Sequence, residues 1–345
     1  MFAIQDEISQ AVVQGLKVKL FVMEGESLVK DYTKNTEAYE LFLKGKYFFN
    51  KSEHEKAIEC MRKAIKADPN YVPSYAFITQ IIGIKSFLGL LPPWEAKQER
   101  EPLIKRALEL DDTYGSTYVQ LGMNKIIADY DWNGAEKNFK RALELNPGDS
   151  SSHNGYSFYL AVVDRMSEAI EEAKRAVELD PLSIADRFHL VWFLTFDGQL
   201  DRAIEISQQT LELDPNNAGV SYVLAMAYSS KEMHEKAISI LRGFRNIPIF
   251  EAHLGYLYGK ACKIKEAQEI LDELLQRSTR EFISAYMIAI VYSGMGENDK
   301  VFEWLDKAYE ERDASQIFLK VYPTFIDLHS DPRWREQLKK RGLVD

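Results

Sequence analysis

The sequence predicts an all-α protein, a right-handed superhelix of about eight stacked helix pairs with a capping helix at each end. Three observations predict it. Ala135, Ala169, Ala203 and Ala237 stand at intervals of 34 residues. Behind the first three, one phrase closes a helix each time: KRALELNP (140–147), KRAVELDP (174–181) and QTLELDP (209–215). HEKAI occurs at 54–58 and again at 234–238, ten residues more than five such periods, so the array carries a few insertions. A period of 34 held this strictly belongs to a helix–turn–helix unit that buries its apolar face only against its neighbours.

Composition sets the outer bounds. The 345 residues are 46% hydrophobic and 28% charged, which suits a folded chain. The net charge of −10 argues against a nucleic-acid partner, because phosphate binding needs a surplus of Lys and Arg. Cys60 and Cys262 lie far apart in the array and read as reduced thiols. The opening MFAIQDEISQ is acidic and is no signal peptide. The most apolar stretch, 77–94, is broken by Gln80, Lys85 and a double proline, so no membrane span is expected. The expected compartment is the cytoplasm, or the periplasm if a longer parent protein carries a membrane span upstream.

Residues 1–34 read as an amphipathic helix and a linker. Ile4, Ile8, Val12 and Leu16 recur every fourth residue over 3–21, outside the repeat phase. That face suits either a cap on the first repeat or contact with an upstream domain, and it could also drive self-association. The array proper spans 35–312, with units near 38–71, 72–114, 115–149, 150–183, 184–217, 218–247, 248–281 and 282–312.

In the first unit, Gly45, Ala57, Met61, Ala64 and Pro69 alternate small residues with one large apolar residue before a terminating proline. Small residues let two helices approach, the large one fills the gap, and proline stops the second helix. The third unit repeats this with Tyr118, Leu121, Gly122, Ala135, Phe139, Ala142 and Pro147. In these residues the chain resembles the tetratricopeptide repeats. The second unit departs through the loop LGLLPPW (88–94), where Trp94 is expected to dock on the scaffold, and through Pro102, which should kink or restart its helix. Nine extra residues here and one in the turn YDWNG (130–134) account for the spacing of the two HEKAI segments. The seventh unit starts four residues early, as a shortened connection near RNIPIF would cause.

After Arg312 the phase is lost. Residues 313–345 read as a loop with Tyr322 and Pro323 and then a terminal helix, N-capped by Ser330, that buries Trp334 and Leu338 and ends at Gly342. FAIQDEI near the start and LKVYPTFIDLHSDPRW near the end also resemble the flanks of the repeat region in bacterial multidomain regulators. Those carry a nucleotide cyclase, winged-helix or protein-kinase module.

No catalytic constellation, metal site or cofactor motif emerges. HEKAI lacks the second His of a zinc helix both times, with Ile58 and Ile238 in its place. The six histidines never pair at ligand spacing, GYSFY (155–159) lacks the last Gly of a nucleophile elbow, and GMGEND (294–299) follows no strand.

The informative residues lie on the first helix of each pair, where positions 2, 5, 9 and 12 form a stripe apart from the packing stripe. It holds Phe42, Lys46, Met123, Asn154, Phe158, Phe188, Trp192, Tyr222, Met226, Tyr256, Tyr286 and Ile290. The family resemblance implies that this stripe lines a concave groove for a protein or peptide segment; the alternative is that its rings are core. Chaperone-tail binders of the family carry Lys and Asn at positions 5 and 9 of one repeat; here the first repeat has Phe42 and Lys46 and no later repeat supplies that pair, so a C-terminal carboxylate clamp is not expected. The expected function is therefore a non-enzymatic binding scaffold within a larger bacterial protein. An enzyme on an α-solenoid frame and a purely structural oligomerisation module are the alternatives.

Overall fold

The computed structural model describes residues 32–344, so the helix expected at 3–21 lies outside the described residues. Among those described there are no strands, and sixteen helices make eight successive pairs. They are α1 (Thr36–Asn50) with α2 (His54–Ala67), α3 (Val72–Phe87) with α4 (Pro93–Leu110), α5 (Gly115–Asn124) with α6 (Trp132–Leu145), and α7 (Ser150–Val162) with α8 (Met166–Leu179). There follow α9 (Ile184–Phe196) with α10 (Leu200–Leu213), α11 (Ala218–Ser230) with α12 (His234–Leu241), α13 (Pro248–Lys260) with α14 (Ile264–Arg277), and α15 (Ala285–Met295) with α16 (Asn298–Glu310). Two 3₁₀ turns (Ala314–Phe318 and Pro323–Leu328) and α17 (Pro332–Lys340) complete the chain.

The 34-residue period is written in the helix ends. Asp149, Ser183 and Asn217 cap α7, α9 and α11, each side chain accepting the backbone N–H three residues on. Within the pairs, α1, α7, α9, α11, α13 and α15 all close through a left-handed residue: Ser52, Asp164, Gly198, Glu232, Cys262 and Gly296. In each case the following N–H reaches the carbonyl five residues back, as Met233 N does to Tyr228 O at 2.9 Å. Only two of these six positions carry glycine.

Small residues set the helix spacing. A Cβ at Gly122 would stand 2.9 Å from the Phe139 ring, and one at Gly259 would fall 2.4 Å from the backbone of Gly294. The alanines of the period, Ala135, Ala169, Ala203 and Ala237, are all fully buried. First helices line the inside of the curve and second helices the outside.

The irregular places differ in detail from the sequence expectation. α4 runs unbroken through Pro102, because Pro102 and Gln98 lie on its exposed face, where water can take the carbonyl that proline leaves unpaired. The extra residue of the third unit is absorbed by a π-helical turn, Lys125–Asp129, which delivers Tyr130 at φ 53°. The early start of the seventh unit comes from α12 itself, which has 8 residues where α10 has 14. Asp331, not Ser330, caps the terminal helix, its side chain accepting from Arg333 N.

The array curls until its early repeats meet its late ones. The ring of Trp94 meets Phe282 edge-on at 5.4 Å, which docks the insertion across the junction while leaving Trp94 52% exposed. Gly89 (φ 74°) packs so tightly on Met287 that a Cβ there would lie 2.3 Å from its Cε. Tyr130 stacks on Tyr309 at 6.1 Å, Arg312 lies over both rings, and Trp132 Nε1 donates to the Arg341 carbonyl at 2.9 Å.

The left-handed turns carry a direct test. An L-residue in that region costs roughly 1–2 kcal/mol that glycine does not bear. Glu232 is exposed and its side chain makes no hydrogen bond among the described residues, so Glu232→Gly should stabilise the protein by about 1 kcal/mol. Urea unfolding of the two proteins measures this, with the midpoint rising and the slope unchanged.

Candidate functional site

Four residues of the stripe, Phe158, Trp192, Tyr222 and Tyr286, meet a segment of this chain that covers them. After Arg312 (φ 54°) the chain turns inward and lays residues 314–328 along the inside of the curve. Asp313, buried, starts this segment by accepting from Ser315 N at 2.7 Å, and Ser315 Oγ donates to Phe87 O across the ring at 3.0 Å. Phe318 is its centre. It contacts Trp192 at 4.5 Å, Phe158 at 4.8 Å, Phe196 at 5.7 Å and Phe87 at 6.2 Å between ring centroids.

Most of the expected groove residues therefore sit beneath this segment or between repeats. Trp192 and Tyr286 are 1% exposed, and Phe158, Tyr222, Met226, Tyr256 and Ile290 are also buried. Tyr222 and Tyr322 share a short hydroxyl–hydroxyl hydrogen bond, and Phe325 meets Tyr286 at 5.6 Å. Phe188 is half-buried against Trp192, and Met123 is half-buried. Phe42, far from the segment, packs on Tyr71 and Phe77, while Lys46 is exposed on α1. The physical difference from the sequence expectation is the occupant: the wall holds this chain's own residues.

Asn154 has a different task. Its amide donates to Asp186 Oδ1 at 2.5 Å and accepts from His189 Nδ1 at 2.6 Å, tying α7 to α9. Burial lowers His189 to about 4, so it is neutral near pH 7 and can stack on Phe193 and Trp192. Burial pushes Asp186 up to about 6, against hydrogen bonds from Ser183 and Asn154 that favour its charged form, and its Oδ2 has no partner.

A second concavity lies where the ring closes. A cleft of about 630 Å³ opens between α4, the π turn and α16, with Ser86, Trp94, Arg100, Ile127, Glu311 and Arg312 in its walls. The sequence reading missed both this cleft and the covering segment. A signal for the segment was present: Phe318, Tyr322 and Phe325 are spaced 4 and 3 apart in a stretch with no repeat phase. The cleft left no such trace, because its walls come from the second, third and eighth repeats. Among the described residues no group of three or more His, Cys, Asp or Glu is placed to hold a metal ion, and no helix is long and apolar enough to cross a membrane.

Residues 41–71, which cover α2 and most of α1, match the tetratricopeptide repeat family model. No curated protein matches the chain. Among solved structures it is similar to YrrB, described as a TPR protein with an unusual peptide-binding site, at 24% identity over 55% of this chain and 93% of that one, TM-score 0.33. It is also similar to TTC0263, a thermophilic TPR protein of Thermus thermophilus, at 16% identity over 55% of this chain and 98% of that one, TM-score 0.44. The PilF protein of Pseudomonas aeruginosa is similar at 14% identity over 66% of this chain and 98% of that one, TM-score 0.44. The chain carries a tetratricopeptide repeat at 41–71, and its eight successive helix pairs build an α-solenoid.

Two consequences are measurable. Phe318→Ala should destabilise by about 3–5 kcal/mol, as for a large buried core ring, although Phe318 lies in no repeat. Calorimetry or urea unfolding reads this loss. Asp186 holds its proton more tightly folded (about 6) than its ordinary 3.8, so the folded state binds more protons between those values. Stability therefore falls as pH rises through that window and stays lower above it. Asp186→Asn should flatten that slope and raise stability at pH 7 by up to about 3 kcal/mol, read from urea midpoints at pH 4.5 and 7.

Proposed function

We propose that this protein is a non-enzymatic scaffold that binds a protein or peptide segment, and that it serves as the regulatory or sensory part of a larger bacterial multidomain protein. One observation carries the reading. The inner wall of the array holds a segment without repeat structure, residues 314–328, and buries Ile317, Phe318, Leu319, Tyr322 and Phe325 to 4% exposure or less. A wall that packs aromatic side chains of an irregular segment has the chemistry of a peptide groove, since rigid rings offer contact area at low entropy cost. In this reading the resident segment occupies the groove, and a partner segment with aromatics at matching spacing takes its place.

The curved layer of first helices suits this work. Its rings stand on rigid helices, and burial keeps the neighbouring His189 and His253 neutral near pH 7. Such a surface recognises by shape and apolar area.

The test is a selection from a peptide library followed by hydrogen exchange. A selected peptide should speed amide exchange at 314–328 while α7 to α15 stay protected. Binding that leaves exchange at 314–328 unchanged would place recognition elsewhere and overturn the groove reading.

A further inference from the structure

Among the described residues two arginines are buried, and they are treated very differently. Arg341, fully enclosed, donates from Nε to Gln316 Oε1 at 2.8 Å, from Nη1 to Gln337 O at 2.7 Å and Gln337 Oε1 at 2.8 Å, and from Nη2 to Leu305 O at 2.9 Å. Arg100, 3% exposed, has one long hydrogen bond, from Nη2 to Gln120 O at 3.4 Å. Its Nε is enclosed and meets no acceptor. Burial lowers its pKa to about 10, with no carboxylate offsetting that cost among the described residues. A buried cation in this state is expensive, by several kcal/mol, unless something completes it.

Arg100 lines the closure cleft, and so does a second orphan. Ser86 Oγ, buried at the end of α3, also has no hydrogen-bond partner. The guanidinium packs over Gly83 of the neighbouring helix, where an added Cβ would make ordinary contact with Cζ at 3.5 Å. Across the cleft Arg312 is held over Tyr130 and Tyr309, adding a second positive charge at the rim. Trp94 and Ile127 supply apolar wall, and Glu310 and Glu311 offset two of the four positive charges in the lining, those of Lys97, Arg100, Lys307 and Arg312.

We propose that this cleft binds a small carboxylate with an apolar body, its carboxylate held by Arg100 and Ser86 and its body lying against Trp94 and Ile127. The planar guanidinium fork matches a carboxylate, and a hydroxyl donor beside it supports one oxygen further. A cleft of about 630 Å³ falls in the size range of small-molecule sites. The site is separate from the first-helix stripe: it draws on α3 and α4 on one side and α16 with the turn after it on the other, and it exists only because the ring closes. It therefore stands whether or not the inner wall accepts a partner segment.

The experiment uses the full chain and benzoate as probe, by calorimetric titration and thermal shift. Benzoate should bind and raise Tm, while neutral benzamide should not. Arg100→Met should weaken benzoate at least about tenfold, the loss of one charge-assisted pair. The unliganded variant should be as stable as the wild type or more so, because replacing an uncompensated buried charge by an apolar chain of similar length is neutral or stabilising. Ser86→Ala, which keeps the guanidinium, provides the second arm and should weaken benzoate severalfold. N-acetyl-Ala-Ala-Phe with a free or an amidated end distinguishes the source: a free-acid peptide that outbinds benzoate points to a chain terminus, and the reverse points to a free small acid. The proposal fails if neither acid binds, if benzoate binds both variants as it binds the wild type, or if phenyl phosphate binds more tightly than benzoate.

Discussion

The structure turns on one contact, the seating of Phe318 among Phe87, Phe158, Trp192 and Phe196. These four rings come from the second, fourth and fifth repeats, and Phe318 from beyond the eighth. A single buried ring thus joins parts of the chain that the repeat pattern keeps apart. Around it, Tyr322 reaches Tyr222 and Phe325 reaches Tyr286, so the covering segment is fastened along its whole length.

Closure changes what kind of repeat protein this is. An open array is stabilised by nearest neighbours alone, and its ends fray independently. Here hydrogen bonds span 228 residues, from Ser315 to Phe87, and 209 residues, from Trp132 to Arg341. The insertions do this work. The loop 88–92 and Trp94 reach the seventh and eighth repeats, and the π turn swings Tyr130 onto Tyr309. What looks like lost phase in the sequence is the part of the chain that makes the long-range contacts.

Closure also sorts the buried polar groups. Arg341 finds neutral acceptors on α16, α17 and the 3₁₀ segment, and it serves as a bolt between them. Glu251, 1% exposed, is held by Arg245 and Arg277. Arg100 and Ser86 each leave a buried polar atom without a hydrogen bond, as Asp186 and Trp192 do elsewhere, and these two line the same cleft.

The sequence by itself determined the helix pairs. A 34-residue period sets Ala at the crossings, Asp, Ser or Asn at the caps and Asp-Pro or Asn-Pro after the second helices, and each of these is a local matter of sterics and backbone hydrogen bonds. It also marked Phe158, Trp192 and Tyr222 as a stripe distinct from the pair-packing residues. Only the tertiary structure decided what lies on that stripe. Periodicity says which way a side chain points from its own helix, and nothing in it says how far the array curls or where a segment without phase comes to rest. The fates of Phe318 and Arg100 depend on the summed rotation of all eight repeats, a quantity no local pattern carries, and so the covered wall and the closure cleft appear only in three dimensions.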